Sequence, residues 1–445
     1  MDEYIKKLLA AAGEAGITAA EVYLASSDRF RAMCQQGVIN NYTVNSTRGL
    51  SLRGIYNGRM GYAATEAFDD ESIAQLVSGV IQSATISEDD SVQEIYPGDK
   101  EYPDVDNYAP ELDSVTPEEK LDYIREAEKT LLACDPRIAA ATYNMISTAS
   151  GTVRIVNSYG LDLQMRDNVF VSYINALARD NGQSAGESAM CVGRTFRKEE
   201  AVRTAKEAAE KTLFMLGAEP VKSGVYRTIF DPYAMGDLLG VFSGIFSSEN
   251  AQQNMSLLAG REGEKIASDV VTLVDDPLLK GGFESRAFDD EGVACRTLNV
   301  VEDGVLKTLL YNLKTARKAG VKSTGSARKA GYAAPVRVAP SNFFFKPGTK
   351  SLDELMQDVG EGLVITEVGG LHAGANPMSG DFSLIAEGYT VHEGKKDRPV
   401  EQITVAGNFY ELLKSIRAVG SDLVFPGGGI GSPSVDVGEL RVSGK

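Results

Sequence analysis

The sequence predicts an α+β protein. Its N-terminal region is a helix and antiparallel-sheet region made of two similar helix–strands–helix units. Its C-terminal domain is mostly antiparallel β, an open barrel or sheet, with a few helices. Three observations predict this. Residues 1–87 and 116–217 share one order of periodicities, helix, several strands, helix, although no residue-level repeat is visible. From Pro220 onward the composition turns to glycine and short strand-like apolar runs. The 445 residues, 43% hydrophobic and 24% charged, suffice for two or three domains with their own cores. The boundaries read as 1–87, an acidic linker 88–115, a central unit 116–217 and a β-rich domain 220–445.

Ile5, Leu8, Leu9 and Ala12 fall at helical spacing, and Gly16 stops that helix. Strand-like stretches follow at about 20–26, 29–35, 38–44 and 49–64. Asn57-Gly58 marks a tight hairpin turn, because both residues tolerate positive φ. Ile73, Leu76, Val77 and Val80 form one face of a second helix. Residues 88–113 crowd carboxylates around Pro97, Pro103 and Pro110 without periodicity, which reads as a solvated linker with no element of its own.

Thr116-Pro117-Glu118-Glu119 opens the next helix with a capping box. Leu121, Ile124, Ala127, Leu131 and Cys134 form its predicted buried stripe. Strand-like runs fill about 137–196 and break at Asn157–Gly160, Asp180–Gly182 and Gly186. A helix at about 198–216 ends at Gly217. Beyond Pro220, residues 225–230 and 362–367 read as strands. Helices are expected at about 233–246, Ser351–Val359 (capped by Ser351 with Glu354) and Asn408–Ile416 (Asn408 with Glu411).

Composition excludes several functions. Lys+Arg less Asp+Glu is 45 − 62 = −17, a field that repels phosphate backbones and argues against direct nucleic-acid binding. Cys34, Cys134, Cys191 and Cys295 lie far apart and form no CxxC, so neither a zinc knuckle nor a disulfide framework is expected. The first residues lack the apolar run of a signal peptide, and no stretch approaches about 18 consecutive apolar residues. The expectation is an acidic protein of a reducing compartment, the cytoplasm, without a membrane span.

The two histidines, His372 and His392, are 20 positions apart and cannot form a short helical metal pair. Asp289-Asp290-Glu291-Gly292 is the densest carboxylate group, but calcium loops need a longer ligand ladder, so it reads as a charged turn between strands. Gly182-Gln183-Ser184-Ala185-Gly186 fits G-x-S-x-G, yet a strand rather than a helix follows, so the nucleophile-elbow context fails. No cysteine neighbours a histidine. Gly427-Gly428-Gly429-Ile430-Gly431-Ser432 lacks the GK[ST] of a phosphate loop and reads as a flexible loop or a close backbone approach. The densest polar segment is 371–383, where His372, Asn376, Ser379 and Asp381 share one Gly/Pro-shaped loop between strands. Its alternative is a structural turn in which Asn376 and Asp381 satisfy backbone groups. His392 reads as a surface hairpin residue.

Further stretches carry a resemblance. They are Ser323-Thr324-Gly325, Ile365-Thr366-Glu367, Ser379-Gly380-Asp381-Phe382-Ser383, Ile403–Asn408, Val419-Gly420-Ser421-Asp422-Leu423, and Asp289–Gly292 followed by Asp303–Lys307. In these the C-terminal half resembles the TldD/PmbA family, once called modulators of DNA gyrase. The glycine-punctuated strands at about 38–64 and Asn157–Gly160 extend the likeness, more softly, to the N-terminal half. The resemblance implies a metallopeptidase branch with an H-E-x-x-x-H helix after an Asp-Pro, and a later cysteine as a further zinc ligand. Here Asp231-Pro232 is present, but the histidine positions hold Gly240 and Ile245, the glutamate position holds Val241, and Phe425–Ser432 contains no cysteine.

The chain therefore is similar to the PmbA branch, also called TldE. Its members pair with a TldD-like subunit that carries the zinc and general base and acts on unfolded or modified peptides. The resemblance implies no catalytic or metal-binding residue and no cofactor in this chain. It implies a heterodimer with the TldD-like subunit, or a homodimer when alone. His372, Asn376, Ser379, Asp381, Gly428 and Gly429 are the candidates for substrate or subunit contact. Two other readings stand beside it: a peptide-binding homodimer without enzyme activity, and a metal-independent hydrolase using Ser184, His372 and Asp381.

Overall fold

The computed structural model describes residues 1–88 and 94–445; Asp89 and Asp90 of the acidic run lie outside the described residues. The N-terminal unit contains α1 (Asp2–Glu14), β1 (Ala19–Gln35), β2 (Val38–Tyr56), β3 (Arg59–Thr65) and α2 (Asp70–Ile86). After α3 (Pro110–Asp113) come α4 (Pro117–Cys134), β4 (Ile138–Asn157), β5 (Asp162–Asp180), β6 (Gln183–Gly193) and α5 (Glu199–Met215). All six strands form one antiparallel sheet in the order β3-β2-β1-β4-β5-β6. The two units thus join through β1 and β4, each contributing three strands in mirrored order. The helix–strands–helix order within each unit is the one their shared periodicities predict; their joining into one sheet is not.

Strand alternation decides which face each partner takes. Ala20, Val22, Phe30 and Ala32 of β1 point to one face, where α1 and α2 cover one cluster and α4 and α5 another. Glu21 and Tyr23 point to the opposite face, where the C-terminal domain packs with Phe288 beside Tyr23 and Ile155. The turn between β1 and β2 places Gln36 and Gly37 at positive φ. Glu128 of α4 accepts hydrogen bonds from both of their N–H groups at 2.7 Å, pinning the hairpin tip. Asn57 and Gly58 likewise take positive φ, as the Asn-Gly turn predicts.

The C-terminal domain adds β7 (Gly224–Phe230), α6 (Pro232–Phe242) with a 3₁₀ turn over Ser243–Phe246, α7 (Ser248–Gln252), β8 (Leu273–Asp275), β9 (Leu298–Glu302), β10 (Val305–Leu306) and α8 (Leu313–Ala319). There follow β11 (Ala327–Arg328), β12 (Arg337–Val338), β13 (Phe343–Phe345), α9 (Leu352–Val359), β14 (Gly362–Gly369), α10 (Leu371–Gly374), β15 (Asp381–His392) and β16 (Lys395–Asn408). The chain ends with α11 (Phe409–Ser415), β17 (Ala418–Val419), β18 (Ile430–Gly431) and β19 (Val435–Ser443). The strands β16-β15-β14-β7-β19 close into a barrel, because Thr404–Ala406 of β16 also pair with Arg441–Ser443 of β19. The core of this domain runs from α6 through the barrel interior.

Several expectations change. The linker is not wholly solvated: Ile95, Asn107 and Leu112 are buried, and 110–113 form a helical turn. Its polar groups find partners across the domain junction. Asp99 accepts from Ala294 N–H at 2.8 Å, and Asn107 C=O accepts from Arg194 at 2.8 Å. Cys134 is exposed, not core, because α4 ends on it and Asp135 already has extended geometry. The 20–26 and 29–35 stretches are one continuous strand, and Gly186 lies inside β6 without breaking it. The 233–246 helix divides at Phe242. Sequence periodicity missed α7 and α8, which are too short to show it.

The Asp289–Gly292 turn is buried rather than solvated. Arg53 donates to Glu21 at 2.7 Å and to Glu291 at 3.0 Å. Tyr23 donates to Asp290 at 3.0 Å, and Asp289 accepts the N–H groups of Glu291, Val293 and Ala327. The turn is thus an ionic plug between the sheet and the C-terminal domain.

Candidate functional site

Helix α6 begins where β7 leaves the barrel. Asp231 caps it by accepting from the N–H groups of Tyr233 and Ala234, each at 2.9 Å, and Pro232 suits the first turn. Burial pushes the Asp231 carboxyl up to about 7. The helix then enters the apolar core: Met235, Leu238, Leu239 and Phe242 are fully buried, and Phe242 stacks on Phe409 at 4.5 Å. A β-carbon on Gly240 would meet only Ile430 of β18, and Ile245 is fully buried beyond the end of the helix. Gly240, Val241 and Ile245 offer no side-chain donor to a cation, so these residues do not fit a zinc ion at this helix.

The cleft beside α6 mixes charged and apolar side chains. It has a volume of about 390 Å³ and lies between β6 of the central unit and β14 and β15 of the barrel. Glu187 (β6), Glu367 (β14) and Glu387 (β15) converge there, with one oxygen of each within 4.8 Å of the others. A β-bulge at Thr366 breaks the alternation in β14 immediately before Glu367. Burial raises all three carboxyls. Glu387 rises to about 8 because, beyond burial, its hydrogen bond to Glu187 favours the protonated form. Asp237 is also raised by burial. Lys211 reaches the same cleft. Burial opposes its charge, but Glu207 at 2.8 Å outweighs that and leaves its pKa raised. Lys396 lies 3.6 Å from the centre of the Phe214 ring and 4.7 Å from that of Tyr389. Chemically, the three glutamates hold protons above the ordinary carboxylate range, because burial and their mutual repulsion disfavour the charged forms. The spacing of the sequence did not reveal this group, because its members come from three strands of two units. The one signal was a carboxylate inside each of three apolar strand runs.

The predicted site residues separate. Asn376 accepts from the N–H groups of Met378 and Ser379 at 3.0 and 3.3 Å. Asp381 accepts from Asn408 at 2.9 Å, and Ser379 C=O accepts from the same amide at 2.8 Å. That contact, and then Ser379, holds the Asp381 carboxyl below its ordinary range. Asn376 thus satisfies backbone groups, as the structural-turn alternative expects, whereas the Asp381 carboxylate bonds the side-chain amide of Asn408 instead. His372 stands exposed on the preceding helical turn, α10, outside this network. Gly429 approaches its own chain, whereas a β-carbon on Gly428 would meet nothing. Gly429 C=O accepts from Phe343 N–H at 2.6 Å, and a β-carbon on Gly429 would clash with Ser341 C=O and Glu284. Ser184 is exposed in the β5–β6 hairpin, paired with Arg179, so no nucleophile elbow exists there. His392 closes the exposed β15–β16 hairpin, 3.0 Å from Glu361, which raises its pKa.

Comparison with known proteins matches this architecture along nearly the whole chain. Residues 20–84 match PmbA/TldA metallopeptidase domain 1, residues 110–216 the central domain and residues 223–444 the C-terminal domain of that family. A Thermotoga maritima crystal structure, named as a candidate modulator of a DNA gyrase, is 32% identical. It covers 99% of this chain and 100% of that one, with a TM-score of 0.92. Metalloprotease PmbA of Escherichia coli O157:H7 is 27% identical over 96% of this chain and 92% of its own. The metalloprotease TldD homolog of Haemophilus influenzae is 25% identical over 96% and 92%. Among the described residues no helix is long and apolar enough to cross a membrane. The chain belongs to the PmbA/TldD family of metallopeptidase-like proteins.

Proposed function

We propose that this chain is the non-catalytic, PmbA/TldE-like subunit of a cytoplasmic peptidase that acts on unfolded or modified peptides. A TldD-like partner supplies zinc and the general base, and this chain holds no cofactor of its own. The observation that carries the reading is α6. The positions that would bear the metal ligands and base are Gly240, Val241 and Ile245, seated in or against an apolar core. A side chain without a lone-pair donor cannot ligate zinc or take a proton at any pH. The exposed loop 371–383, with His372 at its edge, is the surface left for subunit or substrate contact. Gly428, which has open space beside it, stays a candidate for that role, whereas Gly429 packs against its own chain.

The test is cleavage of an unfolded protein by the purified chain, by a TldD-like subunit, and by both together, with zinc analysis of each. The expected result is zinc and cleavage only where the TldD-like subunit is present, with more cleavage when both are. Cleavage by this chain alone overturns the reading and favours a self-standing hydrolase.

A further inference from the structure

Lys329 follows β11 and lies over the sheet face that carries Glu21, Tyr23 and Arg53. Its Nζ stands 4.2 Å from the centre of the Tyr23 ring. It donates to an uncharged group, Ser51 Oγ, at 2.9 Å. Ser51 is the partner of Tyr23 in the β1–β2 ladder, so both side chains reach this face. Among the described residues Lys329 forms no ion pair, because the carboxylates around it are committed elsewhere. Glu21 and Glu291 pair with Arg53, and Asp290 accepts from Tyr23, from Arg286 and from the Lys329 main-chain N–H. Burial and the Arg53 guanidinium outweigh Glu21, Asp290 and Glu291, and push the amine down from 10.5 to about 8.

A cavity of about 610 Å³, bordered by Lys329 and Tyr23, lies between the sheet, the linker and the 283–290 segment. One part of its lining is apolar: Val153, Leu163 and Met165 of β4 and β5 stand part-buried against the cluster of Tyr23 and Phe288. The rest is polar. Asn107 is 7% exposed, and its side-chain N–H donates to Ser285 C=O, but its Oδ1 has no hydrogen-bond partner among the described residues. Arg286 Nε has none either, and both residues border the cavity. An acceptor and a donor left unmatched at one cavity mark a place where a polar ligand group can be held. Carboxylates outnumber cations in the lining, which disfavours an oxo acid and favours an uncharged carbonyl compound.

We propose that Lys329 is a carbonyl-capture site, whose amine condenses with a small, uncharged aldehyde held against the apolar lining of this cavity. The nitrogen lone pair attacks the aldehyde carbon, and one amine proton moves to the carbonyl oxygen to give a carbinolamine. The C–O bond then breaks, the hydroxyl leaves with the second amine proton as water, and a C=N bond remains. No oxidant or reductant is consumed. The surroundings suit a lysine nucleophile: it is desolvated, near a second cation and without a counter-ion. A lysine kept for stability holds a carboxylate, as Lys211 does with Glu207. This inference goes beyond the proposed peptidase role, and its experiment contains no peptidase readout, so the two fail separately.

The experiment treats the full chain with benzaldehyde and cyanoborohydride, which delivers hydride to the imine carbon and fixes the adduct. Labelled peptides are mapped by mass spectrometry across about pH 6 to 10. The exposed Lys6 and Lys100 serve as internal references. Lys329 is expected to be labelled about ten-fold faster than either near pH 7, and its rate to level off above about pH 8. The para-carboxylate analogue of benzaldehyde is expected to lose the preference for Lys329. Lys329→Arg keeps a cation and cannot form an imine. It is expected to remove this label and leave those at Lys6 and Lys100 unchanged, with circular dichroism reporting its fold. The wild-type map decides even where that variant does not fold. Labelling of Lys329 no faster than of Lys6 or Lys100, a rate still rising at about pH 10, or equal preference for the charged aldehyde overturns the inference.

Discussion

Glu387 is one of three carboxyls that meet beside α6. Its carboxyl is raised from 4.5 to about 8 in the folded chain, chiefly by burial. Between those values the unfolded chain has lost the proton that the folded chain retains. Stability that is full below about pH 4.5 is therefore lost as pH rises toward 8. Glu387→Gln keeps the hydrogen bond and removes the titration. The expected result is a melting temperature higher by about 2–4 °C at pH 8 and little changed near pH 5, a small effect because the cleft is open to solvent. An equal change at both pH values in thermal melts counts against the raised carboxyl. Gly429→Ala tests the packing of the glycine loop. Its β-carbon would overlap Ser341 C=O, so a loss of ~1–3 kcal/mol is expected in urea unfolding. At this scale local motifs are legible unevenly. The Asn376 turn and the Thr116 cap were legible because each is completed within three residues. Cys134 was misread because periodicity does not show where a helix ends.

Among the elements, the turn at 289–292 shows how tertiary contact changes the meaning of a motif. Four charged and small residues in a row look solvated, yet here they meet the face of the sheet that carries Glu21, Tyr23 and Arg53. Arg53 stands between Glu21 and Glu291, all of them buried. Removing the cation leaves two carboxylates without compensation, so Arg53→Ala is expected to cost ~3–5 kcal/mol in chemical denaturation. A loss below about 1 kcal/mol, the ordinary worth of an exposed pair, shows that the junction is hydrated instead. The linker obeys the same physics. Its carboxylates repel one another in isolation, but Asp99 and Asp113 each find donors on neighbouring elements.

For the whole molecule, assembly is the open variable. Loop 371–383 is exposed at the rim of the barrel, so its contribution is expected to appear only in a complex. The set His372→Ala, Asn376→Ala and Asp381→Ala, made singly, is expected to leave the melting temperature of the isolated chain within a few degrees for His372→Ala. Mixed with a TldD-like subunit, the set is expected to reduce co-elution and peptide cleavage. Unchanged assembly and cleavage in all three remove the loop from the proposed contact surface.

By itself the sequence determined the fold class and the two matched N-terminal units. Local periodicity, capping and side-chain chemistry do not depend on what lies elsewhere in the chain. Only the tertiary structure decided that the two units share one sheet, that the barrel closes, and that Glu187, Glu367 and Glu387 meet. Those facts depend on which strands become neighbours. That is set by contacts between residues far apart in sequence, and no local pattern records it.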